Sequence, residues 1–444
     1  MSRSSWTRFP WRVLTRSISA AGGLLAVAGF LPVGSPALRL PAIDPVPCPT
    51  ISWREDDPTF EALPGARAFH GSYEGGLYRI EIPANWNGDL VLYAHGFRGA
   101  GGESGAILRV GNAPIREHLI TEGYAWAASS YRCNGYVPGQ GLEDTNLLVP
   151  LFTSLNGGRA PDRTYLTGTS MGGHVTLLGM HEYPTSYAGG LAMCPAGPAL
   201  FDFFTAVGAA AEVITGTRFT PGNTGEQTRA MASLLGNPPA YTERGRQLAS
   251  VTIEISGGQR PFAMEGLESR FLANISGGAL AGGTSASNLA VDTHGFVYGI
   301  EPGLGLTATT LNERVRRKTG DPAMRGPSGP HEELRPFDGG IERPLLTMHG
   351  TGDLFVPIFL QRLLKDAVRA AGNDELLVQR VYRIPGHCGF SQPEMIRAFD
   401  DLVAWVTAGT RPAGDDVSAN LADAGRTFTT PLREGDPGTV RAGG

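Results

Sequence analysis

Apolar residues fall into short runs divided by turn-forming clusters, and the runs alternate with helical patterns. Leu77 to Ile82 alternates apolar and polar positions, the two-residue period of a half-buried strand. Leu90-Val91-Leu92-Tyr93-Ala94 is continuously apolar, as expected of a strand covered on both faces. Ala125 to Ser130, Gly190 to Met193 and Pro344 to Met348 read the same way. Leu376 to Ile384 closes the series, and Tyr165 to Thr167 ends a further strand. Between the strands, Pro114 to Glu122, Asp144 to Ser154, Val175 to Met180, Pro357 to Ala371 and Pro393 to Thr407 read as helices. Short buried strands alternating with helices predict an α/β fold, with a mostly parallel central sheet flanked by helices.

The rhythm breaks from about residue 198 to 340. Phe201 to Ile214 carries a broad apolar helical face, and further helices are expected near Thr228–Leu235 and Leu311–Lys318. Gly-rich stretches such as 276–278 and 281–287 separate them. This pattern predicts a large cap insertion over 199–340, dividing the core into 77–198 and 341–408. Residues 38–76 read as a Pro-rich, irregular N-terminal arm, and 409–444 as a polar Gly/Pro tail that wraps the surface or frays.

Residues 1–37 carry the pattern of an export signal. Arg3, Arg8, Arg12 and Arg16 precede an apolar stretch from Ile18 to Val33, and Ser35-Pro36-Ala37 supplies small residues for cleavage. Glycine and proline interrupt the apolar run, which favours cleavage over a retained anchor. The expected location is therefore secreted or periplasmic, without stable membrane insertion after cleavage. The net charge of −5 offers no basic excess to neutralise phosphates, which argues against a nucleic-acid partner. A hydrophobic content of 41% supports a packed core despite 62 glycines and 33 prolines. Cys48, Cys133, Cys194 and Cys388 make an even set, so an exported chain would form up to two disulfides in one of three connectivities, or bury free thiols.

The chemistry centres on Gly168-Thr169-Ser170-Met171-Gly172, between a strand and a helix. Gly-x-Ser-x-Gly in that context is a nucleophile elbow. The serine sits on a tight turn, flanking glycines remove colliding side chains, and the Met171 amide at the helix start faces a developing oxyanion. Asp353 and His387 follow later strands, giving the order nucleophile, acid, base. A serine hydroxyl attacks a carbonyl only when a base takes its proton. A histidine does so near neutral pH, and a carboxylate on its far nitrogen fixes the tautomer. Tyr131 and Tyr136, in the loop after Ser130, are candidate pocket residues. Asp202 is a weaker candidate for the acid. His174 and His181 lie on the elbow helix and read as packing or surface residues, while His294 and His331 fall in the insertion without a role. No grouping has metal-ligand spacing and no dinucleotide fingerprint occurs, so neither a metal nor a cofactor is expected.

His95-Gly96, Gly168 to Gly172, His349-Gly350-Thr351-Gly352-Asp353-Leu354-Phe355-Val356-Pro357 and Gly386-His387 together resemble the α/β-hydrolase superfamily, in particular its exported serine esterases. The resemblance spans 77–198 and 343–408. It implies the α/β-hydrolase fold, with Asp353 as acid and His387 as base. It also implies a second oxyanion amide after the His95 strand, for which Phe97 is the candidate, with His95 itself structural. His387-Cys388 is similar to feruloyl esterases and tannases, whose cysteines beside the catalytic Ser and His are linked. Here Thr169 precedes Ser170, so that link is impossible. Cys388 is expected to reach Cys194 instead, leaving Cys48 with Cys133. The resulting expectation is an exported serine hydrolase of small-molecule or polymeric carboxylic esters. The alternatives are a serine peptidase or amidase of the same fold, an extracellular polyester depolymerase, or a non-catalytic binding protein.

Overall fold

A computed structural model describes residues 54–55, 59–99, 107–219, 224–270, 290–325 and 334–430. The predicted export signal, Cys48, His331 and the Gly-rich stretches 276–278 and 281–287 lie outside the described residues.

The framework is one eight-stranded sheet. Its strands are β1 (Ala66–Tyr73), β2 (Gly76–Pro83), β3 (Asp89–Ala94), β4 (Ala125–Ser129), β5 (Arg163–Thr169), β6 (Gly189–Met193), β7 (Leu345–Gly350) and β8 (Leu377–Tyr382). Their spatial order is β1-β2-β4-β3-β5-β6-β7-β8. Only β2 runs antiparallel to its neighbours; the other pairings are parallel. Every residue of β3, β4, β6, β7 and β8 is buried, which explains the apolar runs within them, although β7 also buries Thr347 and His349 and β8 buries Gln379 and Arg380. The helices joining these strands are α1 (Arg116–Thr121), α2 (Pro138–Asn146), α3 (Leu148–Leu155) and α4 (Met171–Glu182).

The register aligns the strand ends. Ala94 lies opposite Gly168, Thr169 opposite Met193, and Met193 opposite Met348. The loops beginning at His95, Ser170, Cys194, Thr351 and Arg383 therefore emerge along one edge of the sheet. That is the edge where open α/β sheets hold ligands.

After β6 the chain forms α5 (Leu200–Thr215), α6 (Thr224–Leu235), α7 (Glu243–Ile255) and α8 (Ala308–Arg314), before β7 resumes the sheet. Phe203, Val207, Leu248, Val251 and Tyr298 share one apolar cluster with Leu354, Val356 and Leu360. The inserted helices thus pack directly on the loop and helix that follow β7. Helix α9 (Phe359–Ala370) then leads to β8, and α10 (Gln392–Ala408) closes the layer. Beyond it, Val417 and Leu421 pack with Ile358 and Val381. The Asp415 amide donates to the Gln379 carbonyl (2.7 Å), and its carboxylate accepts from the Val381 amide (2.8 Å). Residues 409–430 thereby satisfy the open edge of β8, as exposed strand edges require.

Four local expectations differ from the structure. The segment expected to be irregular forms β1, an edge strand whose polar alternate positions give it little hydrophobic signal. The single helix expected over Asp144 to Ser154 is two helices broken at Leu147, because Pro150 has no amide to continue the ladder and fits only the first turn of α3. Helix α7 was not expected, since Val251-Thr252-Ile253 is β-branched and masks it, although Thr242 caps it by accepting from the Gly245 amide (3.1 Å). The helix expected near Leu311–Lys318 starts earlier, capped by Thr307, and ends where Val315 turns extended.

The sheet and α4 approach each other so closely at Gly172 that an added Cβ would overlap the Ala94 carbonyl. Gly172→Ala is expected to lose soluble, cooperatively unfolding protein, measured by expression yield and thermal denaturation, because neither backbone segment can retreat without breaking β3–β5 pairing.

Candidate active site

Ser170 sits at the junction of β5 and α4 with φ 60° and ψ −117°, a conformation non-glycine residues rarely adopt. Such strain costs on the order of 1–3 kcal/mol and persists only where neighbours over-determine it. Here they do. The Ser170 amide donates to the Met193 carbonyl (2.9 Å), and its carbonyl accepts from the His174 and Ala196 amides (3.1 Å each). Gly168 and Gly172 cannot carry side chains, since a Cβ on Gly168 would overlap the Gly172 carbonyl. The turn holds the half-buried Ser170 at the strand-end edge.

His387 and Asp353 meet it there. The Ser170 hydroxyl donates to His387 Nε2 (2.8 Å), and His387 Nδ1 donates to Asp353 Oδ2 (2.6 Å). A carboxylate only accepts, which fixes the ring's tautomer with its proton on Nδ1. The Asp353 carboxylate is fully buried, and its Oδ1 accepts from the Phe355 (3.1 Å) and Val356 (2.8 Å) amides. The residues that the sequence placed after three separate strands are thus brought into one hydrogen-bonded chain.

Two backbone segments flank the serine. Met171 begins α4, so its amide belongs to the first turn that has no intrahelical acceptor. The loop from His95 to Gly99 crosses beside it: a Cβ on Gly96 would lie 3.2 Å from Ser170 Cβ. Phe97, next in that loop, exposes 46% of its surface. His95 is buried beneath the loop, with Nε2 3.0 Å from the Ser130 carbonyl and Nδ1 2.6 Å from the Gly96 carbonyl. Burial, reinforced by Arg98, pulls its pKa down to about 3, so it stays neutral.

Tyr131 corrects an expectation. It was read as a pocket residue, but it is completely buried, its ring stacks on His95 at 3.9 Å and its hydroxyl donates to the His95 carbonyl (3.0 Å). It props the loop from below. Tyr136 is half-buried, hydrogen-bonded through its hydroxyl to His174 Nδ1 (2.8 Å) and set edge-on to Phe201 of α5 (4.9 Å). His174 is buried, which lowers its pKa to about 3.

Cys194 and Cys388 form a disulfide with Cα atoms 5.4 Å apart. It ties the end of β6 to the residue after His387, and Cys388 Sγ lies 3.4 Å from His387 Nε2. Cys194, His387 and Cys388 crowd together, but both sulfurs are bonded to each other and offer no thiolate to a metal. Cys133 is also disulfide-bonded; its expected partner, Cys48, lies outside the described residues.

No family model matches the chain. It is 23% identical over 425 residues to o-phthalyl amidase from Xanthobacter agilis, spanning 80% of this chain and 91% of that protein. Among solved structures it is similar to feruloyl esterase B from Aspergillus oryzae, at 13% identity and a TM-score of 0.45, over 78% of this chain and 82% of the other. It is also similar to an esterase from Pyrococcus furiosus, at 15% identity and a TM-score of 0.36, over 76% and 89%. The strand order, the lone antiparallel β2 and the elbow between β5 and α4 decide the fold. The chain has the α/β-hydrolase fold.

Other candidates in this fold are occupied elsewhere. Asp202 pairs with Arg325 (2.6 and 3.1 Å) and accepts from the Asp292 amide (3.0 Å), pinning the segment before β7 to α5. His181 lies between Glu182 (2.8 Å) and Asp338 (2.6 Å), and the exposed His294 contacts Asp292. Two neighbours of the site were given no role by the sequence. Phe355 stands edge-on to the His387 ring (5.2 Å), and Arg260, from a Gly-rich stretch of the insertion, donates to the Thr351 carbonyl (2.6 Å).

Two outcomes follow from these contacts. Asp202→Ala should cost about 3–5 kcal/mol of stability in urea denaturation, as expected for a broken buried ion pair, while the folded fraction keeps its turnover number; loss of turnover in well-folded protein would return Asp202 to the list of acids. Reducing Cys194–Cys388 should lower stability by about 2–5 kcal/mol and reduce turnover together with it, followed by calorimetry and activity with and without reductant.

Proposed function

We propose that the protein is an exported serine hydrolase that cleaves carboxylic esters through an acyl-enzyme. The observation that carries this reading is the chain Ser170 Oγ, His387, Asp353, with links of 2.8 and 2.6 Å, ending on a serine held at positive φ. In this reading His387 removes the hydroxyl proton as Ser170 Oγ attacks the ester carbonyl. Asp353 stabilises the imidazolium that forms. The Met171 and Phe97 amides receive the oxyanion, each such donor contributing about 10²–10³ in rate. His387 then gives its proton to the departing alcohol. Water, deprotonated by the same ring, releases the acid.

Tyr136, which packs against the cluster that holds Met171 and stands edge-on to Phe201, serves as the proposed pocket residue. The helices packed over the acid loop favour a small, enclosed substrate over a polymer. Export is supported by the basic and apolar pattern of residues 1–37 and by the disulfides. Among the described residues no helix is long and apolar enough to cross a membrane.

Amide cleavage is the second reading, favoured by the o-phthalyl amidase relative. The same three residues serve both reactions, and the difference lies in protonating the poorer leaving group. The test is turnover by the mature protein of p-nitrophenyl esters from acetyl to palmitoyl, an aromatic ester and matched anilides, beside Ser170→Ala. Esters cleaved alone, with turnover lost in the variant, is the expected result. Anilides cleaved at comparable rates would move the assignment to an amidase, and a fully active Ser170→Ala would overturn the nucleophile.

A further inference from the structure

The loop that presents Asp353 has two supports, and one of them is a buried cation from the insertion. On the sheet side, the Thr351 amide donates to the Tyr382 carbonyl (2.8 Å) and the Gly352 amide to the Ile384 carbonyl (2.9 Å). On the other side, Arg260 Nε donates to the Thr351 carbonyl (2.6 Å). Both backbone groups of Thr351 are thereby fixed. The rest of the guanidinium donates to the Gly258 carbonyl (2.6 Å) and to Ser256 Oγ (3.1 Å). These acceptors are all neutral, and Arg260 is only 7% exposed.

The backbone reinforces the same contact. A Cβ on Gly266 would overlap the Gly352 carbonyl, and a Cβ on Gly352 would lie 2.6 Å from the Phe262 carbonyl and 2.7 Å from Pro385 Cα. Residues 256–266 therefore press on the acid loop on one side, while the segment entering His387 presses on the other.

The charges around this point are few. Burial, with Arg362, lowers the Arg260 pKa to about 10, opposed by Asp353 and Glu254, so Arg260 remains a cation at neutral pH. His349, at the end of β7, is buried, and its pKa falls to about 4, leaving it neutral. Arg270 stacks over the ring of Phe355 (5.3 Å), which itself stands edge-on to His387. Asp353 is the carboxylate in direct contact with His387.

We infer that Arg260 is a positioning residue for the acid–base pair: it fixes the Asp353 loop through the Thr351 carbonyl. The inference rests on the serine-hydrolase reading of Ser170, His387 and Asp353. The guanidinium restrains the loop that orients the ring. Lysine would preserve the charge but not the fork that reaches the oxygens of Thr351, Gly258 and Ser256 together.

The experiment compares wild type, Ser170→Ala, Arg260→Met and Arg260→Lys, each checked for cooperative thermal unfolding, with kcat and KM measured separately on the best substrate from the panel. Arg260→Met is expected to lose about tenfold or more in kcat with KM little changed, as misorientation of a catalytic group does. Arg260→Lys should also lose kcat with KM little changed, because it lacks the fork. A folded Arg260→Met with wild-type kcat would overturn the inference. Should that variant fail to fold, Arg260→Lys decides: reduced kcat supports the role, and wild-type kcat overturns it. An inactive wild type or an active Ser170→Ala would instead defeat the hydrolase reading, whatever Arg260 does.

Discussion

Two stretches of backbone touch where no side chain fits. Gly172 lies against the carbonyl of Ala94, and Gly168 against that of Gly172, so the first turn of α4 is driven into the ends of β3 and β5. This close approach forces Ser170 into its positive-φ turn and brings the His95–Gly99 loop alongside it. The remaining parts of the site come to that fixed point. Strand β6 delivers Met193, whose carbonyl holds the Ser170 amide, and β7 and β8 deliver Asp353 and His387. The strain at Ser170 is local; its support is drawn from several strands.

Each member of the hydrogen-bonded chain is anchored by a different means. Ser170 is held by backbone. Asp353 is held by two amides of its own turn and, two residues further back, by Arg260 on the Thr351 carbonyl. His387 lies between a buried carboxylate and a covalent tie at the very next residue. Arrangements of this kind hold side chains within a narrow geometric tolerance.

Much of this was legible in the sequence. Buried parallel strands announce themselves as apolar runs, and strand ends followed by Gly-rich loops mark where Ser170, Asp353 and His387 stand. Cys194 could be paired with Cys388 once a link to the residue before Ser170 was impossible. What escaped was set by tertiary contact. β1 is an edge strand with one covered face. Tyr131 looked like a pocket residue because its loop faces the site, but the loop turns its ring inward onto His95. Arg260 gave no signal, because a lone arginine among glycines is indistinguishable from a solvated one until the fold buries it. Asp415, in a tail that read as surface wrapping, proved to complete the hydrogen bonding of β8.

The apolar cluster shared by the inserted helices and the acid loop bears on modularity. Leu354, Val356 and Leu360 belong to the same packed core as Phe203 and Val251, and Gly266 abuts Gly352. An insertion joined to the sheet only by its two ends can be exchanged for another, and substrate range altered, without touching the reacting groups. Here the insertion is also a wall of the compartment that holds Asp353. Transplanting a foreign insertion onto this framework would strip those contacts from the Asp353 loop, so single substitutions in the insertion would disturb the Ser170–His387–Asp353 chain less than an exchange of the whole module.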